Sequence, residues 1–363
     1  MNKRRVLTVL MPVIAVALAL IAGGVVIAAL GRDPVRGYAM LFYGSLGSPQ
    51  KIAQSLVTAC PLIFTSLAAS FAYKCGVFNL GGEGQFIMGA VATSAFCVLT
   101  GLEGPVGMLG GLTVGILAGA FWAALPGIMK IARGLNEMIT SIMLNYIATL
   151  FMGFVFTNAL RDGTTPQTPA VADSVQLGRI SDAFRMHPGV IIAIVCAVAL
   201  YYVMFHTSFG FKIRAVGMNA EASRVNGFPV KRLMLLAFLI SGAVAGLGGS
   251  VELLGNQIRL MSGFGAGFGF DGVAIALIAQ LNPLGSLLVA IFFGILRAGS
   301  ISLQIAVNVP TAIVDIIQAL IIIFAVAGTA LLKLPAFKQY LDSMGASTGS
   351  DAKAGQKLQK AEV

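Results

Sequence analysis

The stretch Phe78-Asn79-Leu80-Gly81-Gly82-Glu83-Gly84-Gln85-Phe86 places a carboxylate inside an apolar segment. Residues 76–100 around it form one apolar stretch that is long enough to cross a bilayer. A charge near the bilayer core costs at least a few kcal/mol, and each glycine in a helix costs roughly 1 kcal/mol relative to alanine. Because both penalties fall at one place, the stretch favours a polar path over a lipid-facing span. The alternative is a buried carboxylate that is hydrogen-bonded between helices for packing alone.

Composition indicates a membrane protein with many spans. The chain is 57% hydrophobic and 10% charged, and its mean hydropathy is +0.90, whereas soluble domains carry about 25% charged residues. The net charge of +10 does not indicate a nucleic-acid partner, because the bases cluster in short loops between apolar runs. The cysteines show no CxxC spacing and mostly lie in apolar stretches, so neither a disulfide nor a metal site is expected.

Uncharged runs predict an all-α polytopic fold with about ten transmembrane helices. The first run is longer than the apolar region of about 7–15 residues in a secretory signal, so we expect it to be retained. We predict a transmembrane domain over residues 1–339 and a disordered polar tail over 340–363. The expected crossings are 6–30, 52–73, 76–100, 104–129, 138–160, 188–205, 233–251, 272–281, 284–299 and 316–332, and a further apolar run covers 298–314.

The placement of positive charge predicts the orientation. With the N-terminus inside, about two thirds of the 24 Lys and Arg residues fall in inner segments or in the tail. This bias predicts that both termini are cytoplasmic. The bases assigned to outer segments are Arg32, Arg36, Lys51, Arg161, Arg179, Arg185, Arg259 and Arg297. The outer segment 161–187 is polar and proline-containing, so it could meet a partner or simply connect two spans.

Two features predict discontinuous helices and close packing. The glycine-rich segment 79–84 and the proline-containing segment 282–285 lie in opposite halves of the chain, as expected for broken helices around a transport path. Small residues also recur at every fourth position in two spans, which lets helices approach closely. These residues are Gly111, Gly115 and Gly119 in one span, and Gly242, Gly246 and Ser250 in the other.

The inner loop 206–232 predicts a short cytoplasmic helix over 220–226. Asn219 is a good N-cap, and Glu221 suits the positive end of a helix dipole. Gly227 favours the left-handed conformation that ends a helix, and Pro229 prevents its continuation. A helix this short is unstable alone in water, so it packs either on the inner surface of the membrane domain or in the groove of a partner.

Several ordered blocks resemble bacterial ABC-transporter permeases for nucleosides, which are relatives of the simple-sugar permeases. The first block is 76–90, which includes the opening stretch, and the second comprises 135–139 and 143–147. The loop 216–223 with Gly227 resembles the coupling loop of this family. The blocks 241–249, 269–277 and 282–285 complete the set, so the resemblance covers about residues 40–335.

The resemblance implies a division of labour among subunits. The chain contains no Gly-Lys dipeptide and therefore no P-loop, so it is expected to be a transport subunit in the bacterial inner membrane rather than an enzyme. It would bind no cofactor itself, and a separate cytoplasmic ATPase would use the ATP. A second related permease and an extracytoplasmic nucleoside-binding lipoprotein complete the implied assembly. The residues expected to dock on the ATPase are Asn219, Ala220, Glu221, Ala222, Arg224 and Gly227.

Carboxylates and amides within or beside the spans are the candidates for a substrate path. The amides could hydrogen-bond ribose hydroxyls or base edges, and Phe78 and Phe86 could offer stacking surfaces or simply pack. Glu252 and Asp271 lie near expected outer ends, where they could instead be solvated, and Asp315 could be interfacial. The path candidates are Asn79, Glu83, Gln85, Asn145, Glu252, Asp271 and Asp315.

Three alternative functions remain open at this stage. A secondary transporter driven by protons or sodium ions could also use intramembrane carboxylates, but it would not need a capped loop helix. An ABC permease for a simple sugar would share the same fold. An intramembrane enzyme is disfavoured, because His187 and His206 both lie near span ends and no catalytic or metal-ligating cluster is evident at membrane depth.

Overall fold

The structure is a computed structural model that describes residues 3–180, 184 and 186–331, with side chains described between residues 14 and 328. Within these ranges the chain is all-α, and no named strand occurs. The end of the predicted transmembrane domain at 339 and the predicted tail 340–363 lie outside the described residues. The all-α prediction is therefore confirmed for the described part.

Thirteen α-helices make up the described ranges. They are α1 (Lys3–Ala29), α2 (Pro34–Leu46), α3 (Pro49–Lys74), α4 (Gly82–Thr100), α5 (Gly104–Arg133), α6 (Glu137–Phe154), α7 (Gly189–His206), α8 (Ser208–Met218), α9 (Ala220–Val225), α10 (Val230–Glu252), α11 (Phe268–Ile278), α12 (Pro283–Val307) and α13 (Ala312–Leu331). Single π-helical turns, Val155–Ala159 and Leu253–Gln257, extend α6 and α10.

The expected count of ten spans is not confirmed. Among the described residues, seven helices are long and apolar enough to cross a membrane, or eight if α1 and α2 count as one broken span. The difference arises from α11 and α13, whose apolar described parts, Phe268–Ile278 and Ala312–Gly328, are shorter than a full span. Helix α2 was not predicted, although Asp33 caps it by accepting hydrogen bonds from the backbone N–H groups of Val35 and Arg36.

The described chain separates into two units. The larger, Arg32–Val314, holds α2 to α12, and the smaller consists of α1 and of α13 from Asp315 onward. In the larger unit α3 is the central helix, since 89% of its most apolar stretch of 18 residues is buried. It packs against α7, α10, α11 and α12. Its small residues and its hydroxyls, which bond to carbonyls of the preceding turn, allow this close packing.

The two small-residue stripes pack against each other inside the larger unit. A Cβ at Gly119 of α5 would lie 2.7 Å from Gly246 Cα of α10, and one at Gly246 would lie 2.9 Å from Gly119 Cα. Thr93 of α4 contacts the same interface between α5 and α10 through a hydrogen bond of 2.8 Å to Ser250. The prediction of close packing is confirmed, and both stripes are used within the chain.

The break at 282–285 lies where it was predicted, between α11 and α12. At the start of α12 the Asn282 side chain accepts a hydrogen bond of 3.0 Å from the backbone N–H of Leu284. A second irregular segment, 258–267, which was not predicted, lies before α11. Part of the predicted outer loop pairs with this region through backbone hydrogen bonds, such as Val171 N to Ile258 O at 3.0 Å and Leu177 N to Leu254 O at 2.9 Å.

Candidate transport path and coupling loop

The segment 75–81 breaks the apolar stretch before α4 and is held by buried side-chain amides. Asn79 is 2% exposed and donates hydrogen bonds of 3.0 Å to Gln85 Oε1 and 2.9 Å to Ser241 Oγ. Its Oδ1 accepts from the backbone N–H of Gly81 and from Gln85 Nε2. In this structure Asn79 therefore binds the irregular backbone at Gly81, and the two side-chain amides of Asn79 and Gln85 bind each other.

Asn145 fixes the other side of the same segment. Its Oδ1 accepts a hydrogen bond of 2.8 Å from the backbone N–H of Gly84, and its Nδ2 donates one of 2.9 Å to the carbonyl of Leu80. A Cβ at Gly84 would lie 2.9 Å from Asn145 Oδ1, so the glycine permits this approach. These bonds satisfy backbone groups at the start of α4 that would otherwise lack partners in the membrane.

Glu83 lies in the first turn of α4, where it meets the first turn of α11. Its carboxylate faces the backbone N–H groups of Gly267 and Gly269, as expected for an anion at the positive end of a helix. Its Oε2 is buried and has no hydrogen-bond partner among the described residues. A Cβ at Gly269 would lie 2.5 Å from Glu83 Cβ, so the two helix starts touch. We call Glu83, Gly267, Gly269, Asp271 and Arg297 the α4–α11 junction.

An ion pair completes the α4–α11 junction. Arg297 Nη2 donates a hydrogen bond of 2.6 Å to Asp271 Oδ2, and the two side chains are 25% and 24% exposed. Arg297 was assigned to an outer segment, but it lies within α12, which continues without a break from Pro283 to Val307. The uncharged run at 298–314 was the sequence signal for this longer helix.

Aromatic rings flank the α4–α11 junction. The Phe86 ring lies 6.0 Å from Phe264 and 5.7 Å from Phe268, centroid to centroid. The Arg297 guanidinium carbon lies 5.2 Å from the centroid of Phe268. Phe86 is completely buried and therefore packs in this structure, while Phe78 is 44% exposed and meets Tyr73 edge-on at 5.1 Å.

The remaining carboxylate candidates lie elsewhere. Glu252 is only 3% exposed, and its Oε1 accepts hydrogen bonds of 2.7 Å from Asn256 Nδ2 and 3.1 Å from Gln257 Nε2. It is therefore not a solvated helix end, which was the alternative interpretation. Its Oε2 has no hydrogen-bond partner among the described residues. Asp315 lies in the first turn of α13, in the smaller unit.

The predicted short helix is present as α9, with the expected cap. Asn219 Oδ1 accepts a hydrogen bond of 2.9 Å from the backbone N–H of Ala222, and Gly227 adopts a φ of +80° after the helix ends. An ion pair between Glu221 and Arg224 lies on its exposed face. Sequence reasoning missed α8, which precedes α9 and whose first turn is capped by Thr207.

Helices α8 and α9 line an open cavity, and α8 touches the segment that precedes α4. The cavity has a volume of about 500 Å³ and is lined mainly by apolar groups such as Phe211, Met218 and Phe228. Behind it, Gly217 of α8 packs on backbone, since a Cβ there would lie 2.9 Å from the carbonyl carbon of Lys74. Gly76 faces Gly217 and adopts a φ of +75°.

Residues 51–326 match the family described as branched-chain amino acid transport system / permease component. The chain belongs to this family. It is 34% identical to the guanosine ABC transporter permease protein NupP of Bacillus subtilis, over 90% of this chain and 96% of that protein. It is 35% identical to the nucleoside ABC transporter permease protein NupB of Lactococcus lactis, over 89% of this chain and 91% of that protein.

A third relative is named for a sugar. The chain is 35% identical to the glucose ABC transporter permease protein TsgB13 of Haloferax volcanii, over 95% of this chain and 93% of that protein. No solved structure was found to match the chain. The resemblance to ABC-transporter permeases is therefore confirmed as family membership, and the chain is a membrane permease subunit.

Proposed function

We propose that this chain is the permease subunit of an ATP-driven importer for nucleosides. The observation that carries the proposal is the similarity, at 34–35% identity over about nine tenths of both chains, to permeases named for guanosine and for nucleosides. Glucose remains the second candidate substrate, because one relative of equal identity is named for it. Nucleosides and glucose share vicinal ring hydroxyls, for which carboxylates are suitable hydrogen-bond acceptors.

Glu83 is the residue that we propose for the substrate path. The path would run along the α4–α11 junction, where a carboxylate with one unpartnered oxygen meets a helix start within the membrane domain. Half-helices whose starts point at a polar site are a recurrent way to build a path through a membrane protein. Asn79, Gln85 and Asn145 would serve the path indirectly, by holding the backbone of the segment that carries Glu83.

Helix α9 is the element that we propose for docking on a cytoplasmic ATPase. Its cap and its exposed ion pair support a preformed helix, and the cavity between α8 and α9 offers apolar surface outside the long spans. In this arrangement ATP is used by the ATPase, and this chain binds no cofactor. The other partners would be a second permease and an extracytoplasmic nucleoside-binding lipoprotein. Both termini would be cytoplasmic, in the inner membrane of a bacterium.

Reconstitution into liposomes tests this function directly. The chain would be purified with its ATPase, second permease and binding lipoprotein, and uptake of a radiolabelled nucleoside would be measured with and without ATP. We expect uptake that requires ATP and is not competed by excess glucose. Uptake driven by a proton or sodium gradient without ATP would support secondary transport. Competition by glucose, with no competition by unlabelled nucleosides, would identify glucose as the substrate.

A further inference from the structure

The charges of the α4–α11 junction have a role beyond a possible contact with substrate. Helix α11 contains 11 residues and is therefore roughly 16 Å long, too short to cross a hydrocarbon core of about 30 Å. Its first turn follows the irregular segment 258–267 and is not anchored in a longer helix. Side contacts to neighbouring helices must therefore fix the direction of that turn.

Arg297 of α12 supplies such a contact on one side. Its guanidinium binds the carboxylate of Asp271 at 2.6 Å and lies over the ring of Phe268 at 5.2 Å. Phe268 and Asp271 are three residues apart, so one guanidinium holds both side chains of the first turn. On the adjacent face of α11, Gly269 packs on Glu83, and Gly272 packs on Thr65 of α3.

The same ion pair also sets the charge around Glu83. The carboxylates of Glu83 and Asp271 act on each other through their like charges. Arg297 offsets one of them, which prevents two uncompensated carboxylates from sharing a poorly solvated site. The N–H groups that face Glu83 belong to Gly267 and Gly269, whose orientation depends on the turn that Arg297 holds.

We propose that Asp271 and Arg297 are positioning residues that keep the first turn of α11 aimed at Glu83. This inference rests on the proposed function, in which Glu83 serves the substrate path. When the ion pair is broken, the turn moves away from Glu83, and transport falls although the bundle remains folded. When the two charges are exchanged, the ion pair reforms and the turn returns.

Thiol labelling at position 83 tests the positioning without relying on transport. The variant Glu83→Cys would be made in a chain whose four native cysteines are replaced by alanine, and the labelling rate would be measured in membranes. Rates would be compared at a pH at which the thiol is fully ionised, so that a change of nearby charge alone does not alter them. We expect slow labelling with the ion pair intact, labelling at least about fivefold faster with Asp271→Asn or Arg297→Gln, and slow labelling again in the double variant Asp271→Arg/Arg297→Asp. Equal rates in all of these chains would overturn the proposal.

Uptake in the native-cysteine chain tests the link to transport. Asp271→Asn and Arg297→Gln should each lower uptake about tenfold or more, at unchanged amounts of protein in the membrane. The exchanged pair should recover most of the uptake, whereas failure of the exchange to restore both uptake and slow labelling would also overturn the proposal. If Glu83→Gln leaves uptake unchanged, the proposed role of Glu83 fails, and labelling still decides whether the ion pair positions the turn.

A matched control is available within the chain. Arg259 and Asp162 form an ion pair at 3.4 Å with side chains 35% and 46% exposed, outside the long helices. Exposed pairs of this kind contribute little to structure. Asp162→Asn should therefore change neither the labelling of position 83 nor uptake by more than about twofold.

Discussion

Gly217 lies in the proposed ATPase-docking loop and packs against the segment that leads to Glu83. Replacing Gly217 with alanine should disturb this contact. The new Cβ would overlap the carbonyl oxygen of Lys74 and would lie 2.9 Å from the carbonyl carbon of Lys74 and 3.0 Å from that of Cys75, whereas ordinary contacts of this kind are 3.4–4 Å. All three neighbours are backbone atoms, so no side chain can rotate away. The carbonyl carbon of Lys74 alone would require a separation of about 0.5 Å, the difference between 3.4 and 2.9 Å, and the overlapping oxygen requires more.

The energetic cost can be bounded. Overpacking at a rigid contact destabilises by about 1–3 kcal/mol, and the better helix propensity of alanine returns up to about 1 kcal/mol. The net change stays below the total stability of about 5–15 kcal/mol that is typical of native proteins, so the variant should fold. The displacement would instead fall on the segment 74–76, just before the hydrogen-bonded network of Asn79.

Uptake and ATP hydrolysis of the reconstituted importer are the assay. Gly217→Ala should reach the membrane in normal amounts, lower nucleoside uptake about tenfold, and lose the stimulation of ATP hydrolysis by substrate. Gly153→Ala is the matched control, since a Cβ on this glycine of α6 would meet no described atom within 4 Å beyond its own stretch of helix. If Gly217→Ala transports as well as Gly153→Ala, the contact between Gly217 and residues 74–76 does not link ATP hydrolysis to transport.

Three further predictions address topology, docking and pH. Cysteines introduced into 161–187 should be labelled from outside and those in 207–232 should not, and outside labelling of 207–232 would overturn the proposed orientation. Ala222→Glu should insert normally but lose ATPase co-purification and uptake, because it adds bulk to the exposed face of α9 and a charge that docking would bury without a partner. Normal recruitment of the ATPase would refute the docking assignment. Burial lowers the pKa of His187, just before α7, from 6.5 to about 4. Between these two pH values the His187 side chain is therefore uncharged in the folded protein and protonated in the unfolded protein. The contribution of His187 to the free energy of unfolding should therefore be constant above pH ~6.5 and fall by up to roughly 3 kcal/mol between pH ~6.5 and ~4. His187→Gln should flatten this pH dependence, and an unchanged pH dependence would show that other groups cause it.

Local rules predicted much of the fold. The uncharged runs located the long helices, and the glycines at 81–84 predicted that the apolar stretch 76–100 is broken, as the start of α4 at Gly82 confirms. The cap at Asn219 predicted α9, because capping depends on a few adjacent residues.

The parts that the sequence did not predict depend on contacts between distant segments. The contact between α11 and Arg297 is not visible in the local sequence, since the pair joins residues 26 apart in the chain. The amides Asn79 and Asn145 stay candidates for the substrate path, and their hydrogen bonds to groups from other segments of the chain were not predicted. Such assignments need the positions of neighbouring helices, which hydrophobic periodicity does not supply.

Glu83 is the residue on which the proposed transport path depends most, and nucleoside uptake by Glu83→Gln measures its role. The amide keeps the size of the side chain and removes its charge, so the contact between α4 and Gly269 can remain. We expect normal amounts of protein in the membrane, normal recruitment of the ATPase, and uptake reduced about tenfold or more. Uptake equal to that of the unmodified chain, at equal amounts of protein, would refute the proposed role and would favour a carboxylate that serves packing alone.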